Sequence, residues 1–336
     1  MCATMNPWLV FVISAGVIIV AGRVISNASD ELAERTGLGR AFIGSLLLAG
    51  ATSLPEVAAS GTAALQGAGN LAMGNVFGSN IFNMLLLVIA QCFAARPILS
   101  NVSPTHVTTA AAGMLLSGIA ALSMVVRQPY AFLGAGLDTW IIAATYIIIM
   151  RALPGNAEEQ QLEVAATAET PPKDEEESSS AVRAWLKFAI SAAAIIVAGW
   201  YMSGAADQIA VITGLGQTFI GGTLLAGATS LPELTVSIFT ARMGAYDLAV
   251  GNVLGSNIFN MLILLVSDLA QPGSVPLLSG GTTGQIISAL VGLILSGIVI
   301  VALTLPRRGD DRRFPWEMVA IAGAYLIGLR FIYLAG

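Results

Sequence analysis

Charge is scarce in this chain: acidic and basic residues make up 10% of 336, against 56% hydrophobic. A soluble domain of this length needs a polar skin that such a composition cannot supply, so the sequence reads as a polytopic membrane protein. Cysteine is nearly missing. Cys2 and Cys92 follow no framework spacing, and both are expected to be free. The one histidine, His106, lies outside the repeated segments described below, as an interfacial residue at a helix start. That leaves no base for Ser53 or Ser79 and argues against an intramembrane serine protease. The net charge of -5 is concentrated rather than spread, since eight of the 20 acids fall between residues 158 and 177. It gives no sign of nucleic-acid binding. The first apolar stretch lacks the basic flank and cleavage site of a signal peptide, and is expected to be a retained span.

What the chain does contain, it contains twice. G-A-T-S-L-P-E at 50–56 returns at 227–233, and G-N-V-F-G-S-N-I-F-N at 74–83 returns as G-N-V-L-G-S-N-I-F-N at 251–260. Each pair is 177 positions apart, as are T-G-L-G at 36 and 213, I-I-V-A-G at 18 and 195, and Asp30 and Asp207. An offset held over about 65 residues marks a duplicated unit, so the two copies should fold alike.

A transmembrane helix takes about 20 mostly apolar residues. By that measure ten spans are expected, near 7–26, 38–62, 70–92, 105–126, 131–150, 184–205, 216–240, 246–268, 284–305 and 315–334. The offset carries span 1 onto span 6, 2 onto 7 and 3 onto 8. Five spans per copy is odd, so the second copy enters the membrane from the opposite side. The predicted fold is an all-α membrane protein of two inverted-topology five-helix repeats, with helices 2 and 7 broken. Its parts are a first repeat at 1–153, an acidic cytoplasmic linker at 154–182 and a second repeat at 183–336.

Basic residues test this count. The odd-numbered loops hold Arg35, Arg40, Arg96, Arg151, Lys173, Arg183, Lys187, Arg242, Arg307, Arg308, Arg312 and Arg313, whereas the even-numbered loops hold only Arg127. Such a bias places the odd loops in the cytoplasm and both termini outside. The linker, rich in Glu, Pro and Ser, cannot bury enough apolar area to offset its ordering entropy, and it has no EF-hand spacing.

The repeated words carry the chemistry. Pro55 and Pro232 lack the N–H that would bond the carbonyls of Ala51 and Ala228, so the helices should break there. Bare carbonyls at membrane depth are tolerated only where protein buries them or they line a cavity. Around each break sit Thr52, Ser53 and Glu56, or Thr229, Ser230 and Glu233. These are the hard oxygen ligands that calcium and sodium prefer. Ser79 and Asn83 share one helical face, as do Ser256 and Asn260, and Gly74, Gly78, Gly251 and Gly255 would let helices approach closely. A carboxylate at mid-bilayer costs at least about 2.5 kcal/mol. With no lysine or arginine near the motifs, Glu56 and Glu233 need a cation or protons to neutralise them. One calcium ion cancels both charges, while sodium ions or protons could do so in its place. Mutually exclusive loading is what an antiporter requires.

The doubled motif resembles the alpha-repeats of the calcium/cation antiporter superfamily, most closely its sodium/calcium exchanger branch. The resemblance implies that Glu56 and Glu233 bind calcium, with the carbonyls of Thr52 and Thr229 completing the shell. It implies sodium sites at Ser53, Ser230, Ser79, Ser256 and the carbonyls of Ala49 and Ala226. It further implies three sodium ions exchanged for one calcium, and spans 1 and 6 sliding to alternate access. Potassium-dependent members are expected to carry Asp where this chain has Asn260, so potassium cotransport is not expected.

The function expected is therefore a secondary antiporter, not an enzyme, with calcium and sodium as transported ions, the lipid bilayer as its setting and no cofactor. A prokaryotic plasma membrane, the inner membrane in a Gram-negative cell, is the expected location. The rival on the same scaffold is a proton/calcium antiporter that protonates Glu56 and Glu233 as its counter-step. Paired hydroxyls favour sodium. A passive channel is the remaining class.

Overall fold

The computed structural model describes residues 6–36, 40–152, 175–213, 227–273, 275–305 and 315–335. Helices dominate throughout. They are α1 (Pro7–Thr36), α2 (Arg40–Thr52), α3 (Leu54–Leu65), α4 (Gly69–Phe93), α5 (Thr105–Val126), α6 (Leu137–Ala152), α7 (Glu175–Thr213), α8 (Leu231–Arg242), α9 (Tyr246–Ala270), α10 (Thr283–Thr304) and α11 (Trp316–Ala335). A two-stranded hairpin, β1 (Ala131–Phe132) and β2 (Ala135–Gly136), precedes α6.

Among the described residues, seven helices are long and apolar enough to cross a membrane, and α2 with α3 forms an eighth crossing bent by 43°. Two expected spans fall outside that set for different reasons. Helix α6 has 16 residues, short of the about 20 that a span needs. The first half of span 7, with the expected Ala226, lies outside the described residues, as does most of the acidic linker. Helix α7 starts at Glu175, inside the stretch read as linker.

Local signals set the helix ends. Asn6 caps α1 through its Oδ1, which accepts from the Trp8 amide at 3.0 Å, and Pro7 supplies a preset φ at the first helical position. Thr282 and Gln285 form a capping box at α10. Both α3 and α8 stop at a glycine with φ +78°, Gly67 and Gly244, whose left-handed conformation lets the chain turn back and satisfy the last carbonyls. These two glycines are also 177 positions apart.

Helices α4 and α9 form the buried centre. Gly69, at the start of α4, lies against Gln271, just past the end of α9. At the other end, the Arg96 amide, just past α4, donates to the Tyr246 hydroxyl at the start of α9 (3.1 Å). The pair is therefore antiparallel. Asn80 Nδ2 donates to the Asn257 carbonyl and Asn257 Nδ2 to the Asn80 carbonyl, both at 3.2 Å. Asn80 also meets Met261 Sδ (3.3 Å) as Asn257 meets Met84 Sδ (3.1 Å). Each contact becomes the other when the copies are exchanged, which is the signature of a two-fold axis. An axis that swaps antiparallel helices runs perpendicular to them, so the repeats are inverted in the membrane.

The described loop contacts fall into two groups. In one, Asp30 pairs with Arg40, Glu31 with Lys187 (3.6 Å), and His106 Nε2 with Asp247 Oδ1 (3.0 Å). In the other, Arg127 donates to the Gly281 carbonyl (3.3 Å) and Gln285 to that of Asn70 (2.7 Å). His106 does stand at a helix start, but it is buried. Asp138 is buried, and its Oδ1 accepts from the Thr139 amide at 2.9 Å.

The two-fold does not hold where α1 and α7 pack on the half-helices. A Cβ on Gly199 of α7 would strike Pro55, whereas its counterpart on Gly22 of α1 would meet Thr235 at 2.5 Å rather than Pro232. Helix α1 thus sits three residues further along α8 than α7 sits along α3, about 4.5 Å at the rise of an α-helix.

Candidate ion-binding site

The breaks foreseen at the two prolines are present, and they are alike. Ser53 has φ -88° and ψ 5°, and Ser230 has φ -86° and ψ 10°, each ending one helical segment and opening the next. Pro55 and Pro232 then occupy the first turn of α3 and α8, where a missing N–H is harmless to the new helix. Glu56 and Glu233 also fall in these first turns, where the unpaired N–H groups favour negative charge.

The two carboxylates are fully buried and are held crosswise. Ser53 Oγ donates to Glu233 Oε1 (2.9 Å), and Ser230 Oγ donates to Glu56 Oε1 (3.1 Å). Each repeat thus supplies the hydroxyl for the other's acid. Among the described residues, each Oε2 has no hydrogen-bond partner. Ser79 Oγ, Ser256 Oγ, both polar atoms of Asn83 and Oδ1 of Asn260 are likewise buried and unpartnered. Buried polar atoms are almost always satisfied in folded proteins, so these residues of the repeated motifs are candidates for binding an ion. No cluster of three or more His, Cys, Asp or Glu side chains occurs among the described residues. The site offers two carboxylates and neutral oxygens, the donor set of a hard cation.

Thr52 and Thr229 are buried beside the breaks. The Ala49 carbonyl accepts from the Ser53 amide (3.0 Å) and lies 3.2 Å from Thr52 Oγ1. Asn260 Nδ2 donates to Asn80 Oδ1 (3.0 Å). The expected close approach holds for Gly251 and Gly255, where an added Cβ would run into the backbone of Ala41, Gly44 and Ser45. That contact presses α9 onto a π-helical turn, Ile43–Leu48 in α2, just ahead of the break. The π turn has no motif of its own, and sequence reasoning missed it. It also passed over Asn75 and Asn252, whose Nδ2 atoms donate to Ser60 Oγ (3.0 Å) and Ser237 Oγ (3.2 Å). Their signal was present in the same repeated word.

The family model described as "Sodium/calcium exchanger protein" matches residues 6–150 and 183–334, almost the whole chain. The chain belongs to the sodium/calcium exchanger family. This exchanger-family chain is 30% identical over 299 residues to CaxA of Alkalimonas amylolytica, named as a candidate antiporter, covering 86% of this chain and 89% of that protein. It is 28% identical over 320 residues to the inner membrane protein YrbG of Escherichia coli, covering 94% and 93%. It is 27% identical over 339 residues to the sodium/calcium exchanger MaX1 of Methanosarcina acetivorans, covering 91% and 93%. A solved structure of the sodium-calcium exchanger NCX_Mj superposes with a TM-score of 0.73 at 21% identity, covering 98% of this chain and 99% of that one. The protein is accordingly a multi-pass membrane antiporter for calcium and a counter-cation, and not an enzyme.

Proposed function

We propose that this exchanger-family protein carries calcium in exchange for sodium, at one site shared by its two repeats. The observation that carries this reading is the crossed pair, Ser53 on Glu233 and Ser230 on Glu56, with an unpartnered carboxylate oxygen on each side. Glu56 and Glu233 would take calcium through those oxygens, with the carbonyls of Thr52 and Thr229 beside them. Sodium would use the hydroxyls of Ser53, Ser230, Ser79 and Ser256 and the carbonyls of Ala49 and Ala226, and Asn83 and Asn260 would face the middle of the site. Two carboxylates match one divalent ion or several monovalent ones, and their mutual repulsion is relieved by either load. Calcium and sodium then compete for the same oxygens, which couples their movements. The three-residue offset between α1 and α7 supports a cycle in which these two helices slide past the fixed site to expose it to each side in turn. The bias of basic residues supports termini outside the cell, in a plasma membrane that is the inner membrane of a Gram-negative cell.

The test is labelled calcium uptake by proteoliposomes holding the purified protein. An outward sodium gradient should drive uptake, and a protonophore that collapses any pH gradient should leave it unchanged. Uptake that follows the pH gradient and ignores sodium would replace sodium with protons as the counter-ion. Flux with no counter-ion at all would make the protein a channel.

A further inference from the structure

We infer that Asn252, on α9, is a positioning residue for the calcium site, and that it does this work more than its repeat counterpart Asn75. The inference rests on the shared site proposed above. Asn252 is fully buried, and its one amide reaches three residues on two other helices. Its Oδ1 accepts from Thr52 Oγ1 of the first repeat's break (3.1 Å). Its Nδ2 donates to the main-chain carbonyl of Glu233 (3.3 Å) and to Ser237 Oγ (3.2 Å), both on the second repeat's half-helix α8. Thus one side chain fixes Thr52 relative to the first turn of α8, which carries the Glu233 carboxylate. Asn75 makes only the Ser60 bond, and its Oδ1 has no partner among the described residues.

The chemistry of the amide is what makes this testable. Only an amide joins an acceptor and a two-proton donor at one branch point. Asp at position 252 would keep the acceptor for Thr52 but turn a second oxygen toward the Glu233 carbonyl and Ser237. If Asn252 touched calcium directly, Asp would add a charged oxygen and hold or raise affinity, because ligand charge tunes calcium sites. If Asn252 positions the site, Asp should weaken binding although it adds charge.

The experiment is calorimetric titration of calcium into the purified protein in sodium-free detergent, with unfolding midpoints measured alongside. Asn252→Asp should raise the calcium dissociation constant about ten-fold, and Asn75→Asp less than about three-fold. Thr52→Val removes the hydroxyl bond to Asn252 and leaves the Thr52 carbonyl in place. It should reproduce part of the loss, about three-fold, and it stands in should Asn252→Asp fail to fold. Affinity unchanged or tighter in Asn252→Asp would overturn the inference, as would equal losses at 75 and 252. Full affinity in Thr52→Val would also overturn it. No calcium binding by the unaltered protein would instead refute the proposed function, so the two failures are distinguishable.

Discussion

The crossed hydroxyl–carboxylate pairs predict which residues are energetically coupled, and the prediction runs against sequence proximity. Ser53 lies three residues before Glu56 in its own repeat, yet its hydroxyl is 2.9 Å from Glu233 of the other. A double-mutant cycle isolates that pairwise energy. The perturbations are Ser53→Ala, Glu233→Leu and both together, with Ser53→Ala against Glu56→Leu as the comparison. A hydrogen bond to a charged group contributes about 1.5–3 kcal/mol, and a neutral one about 0.5–1.5 kcal/mol. The Ser53/Glu233 cycle in calcium-free detergent should therefore return about 1.5–3 kcal/mol if the acid is ionised, and about 0.5–1.5 kcal/mol if it is protonated. Ser53/Glu56 should return less than about 0.5 kcal/mol. The mirrored cycle, Ser230 with Glu56 at 3.1 Å, should match the first because the geometry does. The assay is reversible unfolding of the purified protein at fixed pH and detergent. Coupling within a repeat rather than across it would refute the shared site and the exchange scheme built on it.

Replacing Glu56 or Glu233 by Gln should abolish calcium exchange, since losing the acid of a buried carboxylate–cation pair costs about 3–5 kcal/mol, at least about 100-fold in affinity; Cys92→Ser, at an exposed side chain, should leave exchange intact, and flux assays on all three variants check this. Gly255→Ala would drive a Cβ to 2.5 Å from the Ser45 Cα and should lower stability by about 1–3 kcal/mol, whereas Gly16→Ala, with nothing within 4 Å, should be neutral or stabilising; unfolding midpoints decide between them. Arg40→Gln installs the residue that the second repeat has at 217 and removes the pairs with Asp30 and Glu34. Because Arg40 is 40% exposed, the loss should stay below about 1 kcal/mol and shrink at high salt, as unfolding at two ionic strengths would report.

Much of this was legible because the fold is written twice. The offset of 177 located the two-fold before any contact was seen, and proline placed the breaks at Ser53 and Ser230 because a missing N–H acts locally. Paired Thr, Ser and Glu named the candidate site through their chemistry. The crossing was not legible: sequence order sets Ser53 beside Glu56, and only the antiparallel packing of the copies brings it to Glu233. Asn252 was hidden for a related reason, since its role depends on reaching Thr52 across the molecule. The π turn at Ile43–Leu48 arises where glycines 251 and 255 press α9 onto α2, a tertiary cause with no local signature.

Two copies of one sequence would, under perfect symmetry, present the same opening to both sides of the membrane. A protein that opens to one side at a time has to break the symmetry somewhere, and the location of the break says what moves. The carboxylate pairs keep it, at 2.9 and 3.1 Å, and so do the terminating glycines, both at φ +78°. Apart from the side-chain bonds of Asn252 and Asn75, a departure that shifts a whole helix lies where Gly199 meets Pro55 while Gly22 meets Thr235. Both contacts are made by glycine, whose bare Cα gives a smooth bearing for a neighbouring side chain. In the proposed cycle this division has a direct advantage. An ion arriving from either side finds the same pair of acids with the same hydroxyl partners, and the cost of switching sides falls on α1 and α7, not on dismantling the site that holds the charge.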